Sequence, residues 1–245
     1  MSKIIAASVL LVLGSTEAAA QIKGLEALVP HGDATAAGRI IQLVLLITVL
    51  SIAPGLLIMV TCFTRIVIAL SFLRAGLGLQ TTPANLVLIS LALFMTFYVM
   101  APTFDRAWQS GLAPFMENKI NEEEAYVQIT RPFKAFMRAN VREKDLQLFQ
   151  ELATQSGQQP AQNDDIELRV LIPAFMISEL RRGFEIGFLI VLPFLVIDMI
   201  VATLTMSMGM MMLPPTVISL PFKILFFVLI DGWNLLVGGL VRSFA

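Results

Sequence analysis

Five ionisable side chains stand in runs of sequence that are otherwise apolar: Arg65, Glu185, Asp198, Lys223 and Asp231. A charge inside hydrocarbon costs about 2.5–3.5 kcal/mol on insertion scales, so each of these needs an opposite charge, water or a changed protonation state. Asp198 is the sharpest case, because it stands near the middle of an apolar arm. A carboxylate there could relay protons or ions, could pair with Lys223 as a structural counter-ion, or could face water inside an assembly. Asp231, beside Gly232 and Trp233, lies nearer the end of its arm, where an interface suits it. Glu179, Arg181, Arg182 and Glu185 gather where another arm begins, and side chains there can reach a polar boundary cheaply.

A second concentration is apolar. The stretch MSMGMMMLPP (206–215) holds five of the chain's thirteen methionines, at positions 206, 208, 210, 211 and 212. Gly209 loosens the backbone and Pro214-Pro215 ends any helix, so the stretch reads as a loop between apolar arms. Loops at membrane depth survive only when buried in protein or lining a cavity. One reading makes these methionines filler against lipid or a neighbouring helix. The other makes them a deformable apolar constriction, able to repack around differing contents and to resist wetting when empty.

Reaction chemistry finds little support. No nucleophile elbow, Walker loop, zinc helix or dinucleotide fingerprint occurs, which argues against a membrane-embedded enzyme and an ATP-driven pump. The single cysteine, Cys62, allows no internal disulfide, and the single histidine, His31, cannot build a metal site unaided.

The elements that must position these residues follow from composition. Of 245 residues 57% are apolar and 14% charged, with a mean hydropathy of +0.80, which indicates a membrane protein. The net charge of −1 conceals an uneven distribution, since 22 of the 35 charged side chains lie between Asp105 and Arg182. With no basic excess, there is nothing to neutralise nucleic-acid phosphates. Residues 1–20 combine Lys3, an apolar core from Ile4 to Leu13 and three alanines, the pattern of a cleavable secretory signal, and an uncleaved first helix is the alternative.

Four apolar arms follow, Ile40–Val60, Leu86–Ala101, Gly183–Met206 and Val217–Val241, each about long enough for a bilayer core at 1.5 Å per residue. The apolar run continues past Arg65 to Leu73, broken only by Pro54-Gly55, and the part beyond Val60 must kink or emerge. In TTPAN, Thr82 is the expected N-cap of the second arm, with Pro83 at its first helical position. Arg65 and Arg74 between the first two arms mark a cytoplasmic connection, which places residues 102–182 outside. Within that region an amphipathic helix is expected from about Pro132, with Phe133, Phe136, Met137, Leu146, Phe149 and Leu152 as its apolar positions. Arg131, Lys134, Arg138 and Arg142 form a solvated or docking face. The loop ATQSGQQPAQNDD and another helix from about Ile166 complete the region. The resulting organisation is 1–20 signal, 21–39 extracytoplasmic segment, 40–101 first apolar hairpin, 102–182 extracytoplasmic helical region, and 183–245 second apolar hairpin with the methionine-rich loop.

Residues 63–102 (FTRIVIALSFLRAGLGLQTTPANLVLISLALFMTFYVMAP), 141–149 (VREKDLQLF) and 172–240 (IPAFMISELRRGFEIGFLIV through DGWNLLVGGL) together resemble the FliP family of flagellar export-gate proteins. Injectisome relatives of that family form the same core component of type III secretion gates. VREKDLQLF and DGWNLLVG resemble the flagellar branch. The resemblance spans nearly everything after the signal. It implies an all-α membrane protein of helical hairpins with an α-helical extracytoplasmic middle region. It further implies a homo-pentamer with FliQ and FliR around a central channel in the flagellar basal body of the bacterial inner membrane. FlhA and FlhB are then neighbours, and unfolded proteins are the cargo. Neither enzyme activity nor a cofactor is implied. The family's methionine gasket maps onto Met210, Met211 and Met212, with Met206 and Met208 as contributors. Hairpins in that family are largely lifted out of the bilayer plane, so apolar arms need not each be a crossing, and their charges would face subunit interfaces or the channel. The competing reading from the residues is a proton- or ion-coupled small-solute transporter centred on Asp198, although the two hairpins differ too much in length and polarity for the internal symmetry such transporters show. A purely structural scaffold is the third.

Overall fold

The computed structural model describes residues 36–79, 83–155, 166–209 and 214–244, and all regular structure among them is helical. The chain divides into two compact units, Met1–Gly55 and Leu56–Ala245. The signal segment 1–20 lies outside the described residues.

Helix α1 covers Ala36–Val60 without a break at Pro54-Gly55. Its apolar side chains, among them Val44, Leu45, Leu50 and Leu57, are exposed. The apolar run past Arg65 is therefore not a kinked continuation of α1. It forms a separate helix, α2 (Phe63–Leu77), after a break at Thr61-Cys62, where the Thr61 hydroxyl accepts from the Phe63 N–H at 3.5 Å. Helix α2 ends at Gly78, whose φ of +76° is left-handed and whose N–H closes the last turn on the Ala75 carbonyl.

Helix α3 runs Asn85–Ala107, continues as a π-helical turn Trp108–Leu112, and ends in the short α4 (Ala113–Met116). The residue flanking α3 is Ala84, with an extended backbone, not Thr82, and Pro83 precedes it rather than opening the first turn. The reason is visible in Asn85, whose Oδ1 accepts from the Arg74 guanidinium, while Arg74 Nε donates to the Leu79 carbonyl at 3.3 Å. The connection is pinned to the end of α2, and that fixes where α3 can begin.

Helix α5 spans Glu122–Asn140 and starts ten residues earlier than hydrophobic spacing indicates. Asn121 and Glu124 form a capping box: Glu124 N–H donates to Asn121 Oδ1 at 2.8 Å, and Asn121 N–H to Glu124 Oε2 at 3.4 Å. Three glutamates in the first turn suit its positive end. Pro132 sits inside this helix and cannot donate to the carbonyl four residues back. That carbonyl, on Gln128, accepts instead from Ser110 Oγ at 3.4 Å.

Helix α6 (Glu143–Gln155) follows and takes in the first three residues of the loop read at 153–165, whose remainder lies outside the described residues. The 40-residue α7 (Leu168–Ser207) then runs continuously through position 183. Helices α8 (Pro215–Leu229) and α9 (Gly232–Arg242) meet at 64°, so the fourth apolar arm is a bent pair rather than one straight span. Leu43–Val60, Asn85–Met116 and Leu168–Ser207 are each long and apolar enough to cross a membrane, and α8 with α9 makes a fourth candidate. The fold is that of an all-α membrane protein.

Two cores hold the second unit. Met137 of α5, Val141 just after it and Leu146 of α6 pack on Leu171, Ala174 and Phe175 of α7. Leu152, by contrast, is exposed. The larger core is centred on α2, where Ile66, Ala69, Leu70 and Leu73 are buried beneath α3, α7 and α8. Close approach of α2 and α7 depends on glycines, as at small-residue helix crossings generally. A Cβ at Gly183 would lie 3.1 Å from Ile68 Cβ, one at Gly187 2.5 Å from the Phe72 ring, and one at Gly76 2.8 Å from the Phe194 ring.

Candidate functional site

The crossing of α2 and α7 brings charges together at both of its ends. Arg65, on α2, and Glu179, on α7, are each 0% exposed. Arg65 Nε donates to Glu179 Oε2 at 2.9 Å and Nη2 donates to the other carboxylate oxygen, a forked pair. Nη2 also reaches Asn140 Oδ1 of α5 at 3.4 Å. Nη1 donates to the Ser243 carbonyl at 2.8 Å and to its hydroxyl at 3.1 Å, and the guanidinium carbon lies 3.7 Å from the centre of the Phe244 ring. One guanidinium therefore ties α2, α5, α7 and the segment after α9. In sequence Glu179 groups with Arg181, Arg182 and Glu185 as a boundary charge. The structure separates them: Arg181 Nε donates to Glu185 at 2.8 Å on the exposed face, and Glu179 points inward.

At the other end, Asp198 of α7 meets Lys223 of α8. Lys223 Nζ donates to Asp198 Oδ2 at 2.6 Å and to the Gly76 carbonyl at 3.0 Å, and Ser219 Oγ donates to Asp198 Oδ1 at 2.5 Å. Gly76 lies in the last turn of α2, where carbonyls lack a helical partner and the helix end carries partial negative charge. The ammonium thus caps α2 while neutralising Asp198, which orders three helices around one cation. Both Asp198 oxygens are engaged, a geometry suited to anchoring. Asp198→Asn is accordingly expected to cost about 1.5–3 kcal/mol, the value of hydrogen bonds to charged groups. The exchange Asp198→Lys with Lys223→Asp should restore only part of this, because a carboxylate at 223 would face the Gly76 carbonyl. Thermal unfolding of the full chain measures both, and a swap no more stable than the single variant would remove the pair from the account.

Asp231 occupies the elbow between α8 and α9 with φ 51° and ψ 50°, a left-handed conformation uncommon outside glycine, and accepts from Asn234 Nδ2 at 3.1 Å. Met206 and Met208, at the end of α7, are 63% and 72% exposed, and Gly209 turns the chain with φ +71°. Met210, Met211 and Met212 lie outside the described residues. Below Met208 an apolar groove of about 530 Å³ opens between α7 and α8, lined by Ile200, Val201, Leu204, Ile218, Phe222 and Phe226 among others. Sequence reasoning missed Glu179 as the partner of Arg65. The available signal was a buried-type glycine pair, Gly183 and Gly187, one and two turns beyond it.

A helical chain with several membrane-length apolar helices, charges neutralised within its own core and broad apolar faces left open is a membrane-embedded protein made for assembly. The sequence model of the FliP family matches residues 46–240, and the chain belongs to that family. It is 66% identical over 212 residues to the flagellar biosynthetic protein FliP of Rhizobium meliloti (strain 1021), covering 86% of each chain. It is 65% identical to that of Agrobacterium fabrum over the same shares. The FliP of Bacillus subtilis (strain 168) is 56% identical over 204 residues, 83% of this chain and 91% of the relative.

Proposed function

We propose that the protein is a subunit of the flagellar protein export gate, that it lines the channel for unfolded flagellar proteins, and that the methionines at 206–212 close that channel. Membership of the FliP family supports the flagellar role. The observation that carries the closing role is the exposure of Met206 and Met208 at a glycine turn between two apolar helices. These thioethers take no part in the chain's own core, so they are available to whatever passes or packs beside them. An unbranched side chain with three rotatable bonds can conform to varied polypeptides and repack behind them, and its low polarity disfavours a water column when the passage is empty.

The remaining parts of the reading follow from the same surface. Phe94, Tyr98, Leu189, Met199 and Leu229 are all exposed, which suits contacts with further copies, five in all, and with FliQ and FliR. FlhA and FlhB supply neighbouring export functions, the inner membrane at the basal body is the site, residues 102–182 face the periplasm, and residues 1–20 are removed as a signal. Coupled transport centred on Asp198 fits less well, because Ser219 and the Lys223 ammonium already hold its two oxygens and neutralise the charge that a relay would use. Replacing Met210, Met211 and Met212 together with alanine should raise ion leak while substrates still pass. Each 1.4 kcal/mol lost from the closed state is about a tenfold rise in open fraction. Conductance of cells or vesicles carrying the assembled gate reads this, and a leak equal to wild type with export intact would defeat the gasket.

A further inference from the structure

The geometry points to α9 being a hinged arm, swinging at Asp231 and latched at its far end by Arg65 through Ser243 and Phe244. This device stands apart from the closing role given to the methionines.

The hinge is a two-residue break. Helix α8 ends at Leu229, α9 starts at Gly232, and between them Asp231 alone takes the left-handed backbone that turns the chain through 64°. No side chain caps the start of α9, and its approach to α8 is a glycine: a Cβ at Gly232 would stand 2.3 Å from the Phe227 ring. Along the arm the buried positions are Gly232, Leu236 and Leu240, one residue per turn on a single stripe. The opposite face, with Asp231, Asn234, Gly238 and Arg242, borders an open groove of about 240 Å³. The arm is seated along the buried stripe, flanked by the partly buried Val237 and Val241 and by Trp233 against the Phe227 ring.

The latch is at Arg65. Its Nε and Nη2 are committed to Glu179, which neutralises the charge whether or not the arm is seated. Nη1 is committed to Ser243, and the guanidinium face to the Phe244 ring, which also stacks on Phe136 at 6.4 Å with planes 27° apart. The ligands from the arm are neutral, and the charged ligand comes from α7. Release of the arm therefore leaves no unpaired charge, which separates a latch from a structural ion pair whose opening would disrupt the core. Cation–π contact and a charge-assisted hydrogen bond to a main-chain oxygen both act over short distances, so the latch is either engaged or open.

Native-state amide hydrogen exchange on the full chain in its membrane complex tests this. An eleven-residue helix is marginal in water, so unlatching toward the aqueous side exposes its amides to exchange. Phe244→Ala should speed exchange across residues 232–242 by about tenfold, the equivalent of 1.4 kcal/mol. Residues 63–77 of α2 should keep their wild-type rates, and Phe244→Trp should hold the arm closed because it offers a larger ring face. Ser243→Ala should change the arm little, because the carbonyl that accepts at 2.8 Å remains. Unchanged exchange in α9 on Phe244→Ala overturns the proposal. So does an equal rise in α2 and α9, which marks general loosening rather than release of an arm.

Discussion

Glu179→Ala is expected to lower the unfolding free energy by about 3–5 kcal/mol, the cost of leaving a buried charge without its partner. Arg65 would retain Asn140, Ser243 and the Phe244 ring, all neutral, at a site that is 0% exposed. No water reaches the guanidinium to replace the carboxylate. Glu179→Gln should fall between the two, because an amide oxygen still accepts one of the forked hydrogen bonds without supplying charge. The double substitution Arg65→Met with Glu179→Met should recover most of the loss, since replacing both ions with well-packed apolar groups removes the desolvation cost as well as the attraction. Denaturant or thermal unfolding of the full chain separates the three variants from one another and from wild type. A Glu179→Ala protein as stable as wild type would show that this pair is not a closed, water-free node.

The helices were legible because apolar runs of bilayer length leave a chain few alternatives. Their boundaries were less so, each for a local reason. Helix α5 hides its start because Pro132 resembles a first-turn residue, while the true signal, Asn121 with Glu124, is a capping box ten residues earlier. Proline is tolerated there because Ser110 arrives from the π-helical turn to serve the freed Gln128 carbonyl, a partner no local pattern reveals. In sequence, α7 divides into a helix from about Ile166 and an arm that begins at Gly183, because four charges crowd that boundary. It continues because one of them is buried against Arg65 and two others pair along its exposed face. The break between α8 and α9 had a visible sign in Asp231-Gly232, a dipeptide suited to left-handed turns.

The candidate site divides along similar lines. Asp198 and Lys223 could be singled out because a charge in an apolar arm is conspicuous, and the carboxylate's alternatives were few. Their third partner, the Gly76 carbonyl, could not be anticipated, because a main-chain acceptor leaves no trace in residue identity. Glu179 escaped for the opposite reason: amid neighbouring charges it looked ordinary. Only the crossing of α2 and α7 selects it. Of the stretch read as a loop, Met206 belongs to the last turn of α7 and Met208 follows its end.

That crossing sets up the second large effect. Gly187→Ala is expected to cost about 1–3 kcal/mol through overpacking. The added Cβ would lie 2.5 Å from Phe72 Cδ2, 2.6 Å from Cγ and 2.9 Å from Cβ. The last of these is fixed to the α2 backbone, so no rotamer change clears the clash and the helices must move apart. Separation also loosens the edge-on contact of Phe72 with Phe184 of α7, whose ring centres lie 5.2 Å apart. Gly183→Ala should be milder, because its nearest neighbour, Ile68 Cβ, is 3.1 Å away and a few tenths of an ångström of helix separation relieve the contact. Separation of α2 from α7 also stretches both charge nodes, since Arg65 and Gly76 ride on one helix and Glu179 and Asp198 on the other. Gly187→Ala should therefore couple to Glu179→Ala in a double-mutant cycle, with the second substitution costing less once the first is present. Phe72→Ala in the Gly187→Ala background should recover part of the stability by making room. Strict additivity between positions 187 and 179, together with no recovery from Phe72→Ala, would mean that the crossing does not set the geometry of the nodes.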